Sequence, residues 1–284
     1  MIPRAYRYLL PALLIEVAFV FAPLAIGIYY SFHRVRFFEL GAFTWFQNYA
    51  DVLSSSAFVN SLLVTTTFAL TATVLTFVVG FALAIFLSRE GAPQVAIRAV
   101  VLIPYVIAML VGSMLLKWIL SSDAGLLSLA NAWLSLDLPT ILGDPDYAMA
   151  ALVANGVWRD SAFAMILLLA GLKSISPTLI AAARIDGAGT WLTFRAIVLP
   201  LLRPTIMITL VRLLLHFTNV LTFAFILTGG GPNDATETLT LRIYRVGFQD
   251  YDLGTANAMA VILAIVNIVA VSLLVYAFRR RGRG

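Results

Sequence analysis

Apolar residues in this chain do not recur at a helical or strand period. They run together. Stretches of roughly 20 apolar residues follow one another along the sequence, each long enough to cross a hydrocarbon core of ~30 Å. Backbone N–H and C=O groups in lipid have to be satisfied within the segment, so these stretches are predicted to be helices. Six are predicted, at 9–30, 62–87, 99–120, 147–169, 205–227 and 256–278. The expected fold class is all-α, a polytopic membrane protein with a single transmembrane domain over 1–284 and its core at 62–278. The first run carries Pro11 and Pro23 and is predicted to kink. It follows Arg4 and Arg7, is too long for a signal h-region and has no Ala-x-Ala site behind it, so it is expected to remain as a span. Glu16 lies inside it, where a lone carboxylate is costly and is expected to face protein. The second run is rich in threonine and contains Gly80; small and hydroxyl residues favour close helix packing in membranes. The third, with Pro104, Gly112 and Ser113, is predicted as one span.

Composition agrees with this pattern. Of 284 residues, 61% are hydrophobic and 12% charged; a soluble domain carries roughly twice that charge. Mean hydropathy is +0.96. Orientation follows from the basic residues. Arg4, Arg7, Arg89, Arg98, Lys173, Arg184, Arg195, Arg203, Arg279, Arg280, Arg281 and Arg283 fall on one side of the predicted spans, and Arg34, Arg36, Arg242 and Arg245 on the other. The asymmetry predicts a multi-pass protein of the cell membrane with both termini and the loop 172–203 in the cytoplasm. Loops 33–60, 121–146 and 229–254 are then external. The net charge of +5 reflects this topology and contact with anionic membrane lipid, not nucleic acid. The absence of cysteine excludes disulfides and thiolate metal sites. His33 and His216 are too far apart for a local metal motif, so no metal is expected. Phe37, Phe38, Phe43, Trp45, Phe46 and Tyr49 in loop 33–60 suit a membrane–water interface, and anchoring is a better reading of them than a ligand site.

Two spans break the apolar pattern. The fourth contains Asn155, Trp158, Arg159 and Asp160, with Asn155 and Arg159 on one face at i, i+4. In the fifth, Arg212, His216 and Asn219 share a face at i, i+4, i+7. At 1.5 Å per residue both sets lie roughly 10–21 Å deep, near mid-membrane. Two readings stay open. Asp160 and Arg212 pair only to neutralise each other, or the stripes line a polar solute path, as the accompanying amide and imidazole groups favour.

The remaining polar stretch, between the fourth and fifth runs, is the one the chain is organised around. Ser176-Pro177 suits a helix start. Leu179, Ala182, Ala183 and Asp186 then share a helical face, and Gly187 and Gly189 break the run, with a positive φ expected at Gly187. A second short helix is predicted at 191–198, after which Leu199-Pro200 is expected to turn the chain again. The residues alone allow either an amphipathic hairpin on the membrane or a compact knob for a partner. The run Ala181-Ala182-Ala183-Arg184-Ile185-Asp186-Gly187-Ala188-Gly189, followed by Ile197-Val198-Leu199-Pro200, resembles the coupling loop of ABC importer permeases. It departs from that pattern at Ala181, where the family has glutamate, so this position brings no carboxylate to a partner. Thr228-Gly-Gly-Gly-Pro, Thr236-Glu-Thr-Leu-Thr-Leu and Tyr244 are similar to the last external loop of the maltose-type, carbohydrate-uptake branch. Pro11-Ala-Leu-Leu, Ser31-Phe, Asn48-Tyr and Leu169-Ala-Gly-Leu fit that branch too.

The resemblance implies a type I importer permease for a sugar or sugar-like solute: an oligosaccharide, an amino sugar or a glycerophosphodiester. It implies three partners: a second homologous permease, a cytoplasmic ATPase dimer and an extracytoplasmic solute-binding protein. Leu179, Ala181, Ala182, Ala183, Arg184, Asp186, Gly187, Gly189, Leu199 and Pro200 are then the coupling residues. No Gly-x-x-x-x-Gly-Lys-Ser/Thr run occurs, so the chain is not expected to be an enzyme or to hold a cofactor, with ATP and Mg bound by the partner ATPase. An ion-coupled carrier is the alternative; it needs a titrating carboxylate in the spans, for which Glu16 and Asp160 are available. A reporter fused after Arg281 is expected to read cytoplasmic, and one inserted in loop 121–146 external. A C-terminus that reads external would overturn the six-span topology.

Overall fold

Where the apolar runs are long enough to cross a membrane, the chain is helical. The computed structural model describes residues 4–89, 91–134 and 139–280; Glu90, Asp137 and the basic tail from Arg281 lie outside them. Five helical segments can span: Leu9–Ser31, Ser56–Phe86, Pro145–Lys173, Thr190–Thr228 and Leu253–Arg279. Ala92–Val106 and Met109–Ile119, bent by 93° at the break between them, are a sixth if the pair is counted as one broken span. These are numbered below as spans in chain order, the bent pair being the third.

The third span therefore differs from the single helix expected at 99–120. Ile107 and Ala108 adopt extended ψ angles of 135° and 132°. The break removes the donor that the Tyr105 carbonyl would have had one turn later, and the Arg159 guanidinium of the fourth span donates to it instead, at 3.4 Å. Prolines also act differently from expectation. Leu199-Pro200 does not turn the chain: the helix runs on through both residues. A five-residue π turn, Phe194–Val198, comes just before, closed by the Leu199 N–H donating to the Phe194 carbonyl. Val17–Phe21 is the same device just before Pro23. A proline ring clashes with the carbonyl four residues back and offers it no N–H, and a widened turn relieves the clash without ending the helix.

The chain divides into two compact units, Met1–Val59 with Leu239–Val266, and Asn60–Thr238 with Asn267–Gly284. The first contains a β-ribbon that the sequence reading missed. His33–Arg36 pairs antiparallel with Glu39–Phe43, with Arg36 opposite Glu39. Phe37 and Phe38 form the two-residue turn at φ 49° and 64°, the positive pair that such a hairpin requires. Tyr251 supports them: its carbonyl accepts from the Phe37 N–H at 2.9 Å and its ring lies 5.6 Å from that of Phe37. Asn48 Nδ2 donates to the Ser31 and His33 carbonyls, 2.9 Å each, tying the ribbon to the end of the first span. Glu16 is exposed and is not covered by the described residues. The most apolar window of the first span buries nothing.

The second unit has a helical core of its own. Phe68, Leu152, Met165, Leu168 and Phe217 are buried almost completely, and Phe68 meets Phe217 edge to face at 5.6 Å. The fourth and fifth spans come close because Gly156 has no side chain: a Cβ there would stand 2.7 Å from Phe217 Cε1. Overpacking such a contact costs about 1–3 kcal/mol. Gly156→Leu is expected to lower the thermal midpoint of the purified protein, and Phe217→Ala in the same chain to restore part of the loss. A Gly156→Leu protein with an unchanged midpoint would mean that the two helices separate freely here.

Candidate functional site

The fourth span begins at Pro145, capped by Asp144, whose carboxylate accepts from the N–H groups of Asp146 and Tyr147. Helical spacing then brings Asn155, Arg159 and Asp160 to the level of the bend in the third span. Asn155 is buried and donates to the Ser113 hydroxyl at 2.9 Å. Arg159 Nη1 donates to Asp160 Oδ1 at 3.1 Å, and its guanidinium lies over the Tyr105 ring at 5.0 Å. From the fifth span, His216 Nε2 stands 3.2 Å from Asp160 Oδ2. That approach is off the hydrogen-bond axis and leaves both atoms without a hydrogen bond, so it is an electrostatic contact only. Asp160, 3% exposed, thus joins two spans.

The structure divides the predicted polar stripe. Asp160 meets Arg159 and His216, whereas Arg212 is exposed and stacks over Phe163 at 5.0 Å. Asp160–Arg212 neutralisation is therefore not the arrangement: Arg159, one residue away in sequence, holds the carboxylate. Trp158 is half exposed. Asn219 is exposed, donates to the Leu215 carbonyl at 2.7 Å and accepts from Asn267 of the sixth span at 3.2 Å. Sequence reasoning missed Ser113, Tyr105, Phe163 and Asn267. Ser113 and Asn267 carried a signal, being polar residues inside apolar runs. Tyr105 acts through its ring and through a carbonyl freed by an unforeseen bend, for which no pattern existed. Also missed was Glu237, only 2% exposed, which accepts from the Ser61 hydroxyl at 3.3 Å.

The stretch between the fourth and fifth spans is an elbow of two capped helices. Ser176 caps the helix Pro177–Ile185, its hydroxyl accepting from the Thr178 N–H at 3.3 Å. At the other end Gly187 has φ +81°. The Gly187 N–H donates to the Arg184 carbonyl at 3.1 Å and the Ala188 N–H to the Ala183 carbonyl at 2.9 Å, the double closure of a Schellman motif. Gly189 then caps the next helix, its carbonyl accepting the Thr193 N–H and hydroxyl. Ala183 is buried, while Ala181, Ala182, Arg184 and Asp186 are exposed. Ile185 is 86% exposed and Trp191 71%, so the elbow presents bare apolar side chains at its tip. Leu179 and Leu199 are exposed as well.

The family described as "Binding-protein-dependent transport system inner membrane component" matches residues 76–283. The trehalose/maltose transport system permease protein MalF of Thermococcus litoralis is 32% identical over 97% of this chain and 94% of its own. The sn-glycerol-3-phosphate transport system permease protein UgpA of Agrobacterium fabrum is 32% identical over 96% and 93%. Among solved structures, a chain of a bacterial ABC transporter involved in the import of the acidic polysaccharide alginate superposes with a TM-score of 0.83. It is 25% identical, covering 97% of this chain and 95% of that one. The same fit, TM-score 0.83, is found to the bacterial alginate ABC transporter in complex with an alginate pentasaccharide-bound periplasmic protein.

Removing one partner of a buried ion pair costs about 3–5 kcal/mol, because the other is left uncompensated. Asp160→Asn is therefore expected to lower the thermal midpoint sharply, and Asp160→Asn with Arg159→Gln to regain most of it. Asp160→Asn with Arg212→Gln is expected to stay as unstable as Asp160→Asn alone. Rescue by Arg212→Gln instead of Arg159→Gln would reassign the pair.

Proposed function

The chain belongs to the family of binding-protein-dependent transport system inner membrane components, and on that premise we propose how it works. It is the membrane-spanning permease subunit of an ATP-driven importer for a sugar or sugar-like solute. Its kinship with permeases for trehalose/maltose and for sn-glycerol-3-phosphate supports that substrate class. The partners are a second, related permease, a cytoplasmic ATPase dimer that holds ATP and Mg, and an extracytoplasmic solute-binding protein. Both termini and the elbow lie in the cytoplasm.

The observation that carries this reading is the construction of the elbow. A helix closed at both ends, with Ile185 and Trp191 bare at its tip, is a rigid apolar knob of the kind that docks in a partner's cleft. Two short connections tie it to the polar residues at mid-membrane. Lys173 ends the fourth span three residues before Ser176, and Thr190–Thr228 is helical span from the knob onward. Movement of an ATPase against the knob therefore passes along the fifth span to Arg212, His216 and Asn219, and along the fourth to Asn155, Trp158, Arg159 and Asp160. In this mechanism the exposed groups Trp158, Arg212 and Asn219 meet solute, while Asn155, Arg159, Asp160 and His216 hold the walls that carry them. Ala181, where the family has glutamate, is exposed on the elbow.

The purified chain alone is expected to show no ATPase activity, and the assembled complex to hydrolyse ATP faster when loaded binding protein is added. Gly187→Asp places a side chain at φ +81° and a charge at the docking tip. It is expected to leave membrane insertion normal and to abolish uptake and the stimulation of ATPase activity. Unchanged uptake would mean that the elbow is an interfacial hairpin without a docking role. Asn219→Ala changes no charge and is expected to raise the solute concentration for half-maximal uptake; an unchanged value would remove Asn219 from the path.

A further inference from the structure

A cavity of about 880 Å³ opens between the Phe86 end of the second span and the elbow. Its composition is divided. Ile85, Phe86 and Val198 give it an apolar wall, and Arg89, Arg184 and Ser88 a polar, cationic rim. Among the described residues no carboxylate pairs with either arginine. A third arginine fixes the rim: the Arg98 guanidinium donates to the Leu87 carbonyl, and to the Arg89 carbonyl at 3.3 Å. Arg89 is thus held at the cavity by a cation that adds to the local positive potential. Like charges gathered around one hollow raise each other's energy unless an anion enters it.

A small soluble anion would satisfy the rim but make no use of the apolar wall. A molecule with an anionic head joined to a hydrocarbon chain satisfies both. We propose that this cavity binds an anionic phospholipid of the cytoplasmic leaflet, its phosphate between Arg89 and Arg184 and its acyl chain along Ile85, Phe86 and Val198. The proposal rests on the orientation argued above and on no assumption about the solute. An arginine can offer two parallel N–H groups to phosphate oxygens, and near a membrane surface each basic side chain strengthens the attraction to anionic lipid severalfold. The bound lipid would fill the space beside the knob and brace it against the second span.

The test is lipid retention by the assembled complex after detergent extraction from vesicles of phosphatidylcholine and phosphatidylglycerol in equal amounts, counted by mass spectrometry. The wild type is expected to retain phosphatidylglycerol in preference to phosphatidylcholine. Arg89→Gln is expected to lower that retention about fivefold, and Arg89→Lys, which keeps the charge, to preserve most of it. Ala82→Trp, which fills the cavity from its apolar side and leaves every charge in place, is expected to lose the lipid as well. Millimolar inorganic phosphate is expected to displace nothing. Equal retention of both lipids by the wild type, or undiminished retention in Arg89→Gln and Ala82→Trp, would overturn the proposal. Displacement by inorganic phosphate would assign the site to a free anion and overturn it too. Because retention is read without transport, a failed uptake assay and a failed lipid site are distinguishable.

Discussion

In hydrocarbon an unsatisfied backbone group costs several kcal/mol, and no water is present to relieve it. That constraint decides what this chain can do inside the membrane. Wherever its helices depart from α geometry, something has to take up the backbone group that is released. Before Pro23 and before Pro200 the helix widens by one residue, and the closing N–H reaches back five positions instead of four. At Ile107–Ala108 the third span bends by 93°, too far for a wider turn, and the freed Tyr105 carbonyl takes a bond from Arg159. A guanidinium at that depth then needs its own counter-charge, which Asp160 supplies at 3.1 Å. Arg159 and Asp160 are in this sense consequences of the bend.

In the proposed mechanism the same constraint makes the fifth span a transmitter. Had the chain turned at Leu199-Pro200, the elbow would be hinged, and displacement of its tip would dissipate in the joint. The π turn at Phe194–Val198 keeps the helix going through the proline, so the elbow and His216 belong to one apolar helical span. Gly187 completes the arrangement from the other side. Only a residue at ease with φ +81° lets the Ala183 and Arg184 carbonyls both be capped, and that closure makes the tip stiff. Stiffness at the tip and continuity behind it are what a coupling device needs.

The sequence made the spans legible because length and apolarity are enough to define them. It made the elbow legible because Ser176, Pro177 and Gly187 are each the residue that their backbone position favours. It did not reveal the bend, which carries no proline or glycine at Ile107–Ala108 and depends on Arg159 from another helix. The β-ribbon was hidden for a related reason. Its turn residues are Phe37 and Phe38, where Asn-Gly or Asp-Gly would have signalled it, and Tyr251, more than two hundred residues away, holds them in place. Local chemistry could be read from the residues, but features stabilised by a distant partner could not.

The polar residues of the fourth and fifth spans were expected to act together, and their geometry argues for two roles. A carboxylate 3% exposed, held by a guanidinium and approached by an imidazole, has little freedom to meet anything else. The same engagement argues against an ion-coupled carrier, since losing the charge on Asp160 would strand Arg159 at the bend. Arg212 shares an aromatic face with Arg159 but differs in being exposed and, among the described residues, in having no carboxylate beside it. A guanidinium in the membrane without a carboxylate beside it is tolerable only where water, a partner subunit or a passing solute can reach it. Trp158 and Asn219 share that accessibility, and an aromatic face, an amide and a guanidinium together suit the hydroxyl-rich surface and apolar ring faces of a sugar. In the proposed mechanism Asp160, held by Arg159 on its own span and approached by His216 from the fifth, links the two walls, and the exposed set gives them their chemistry.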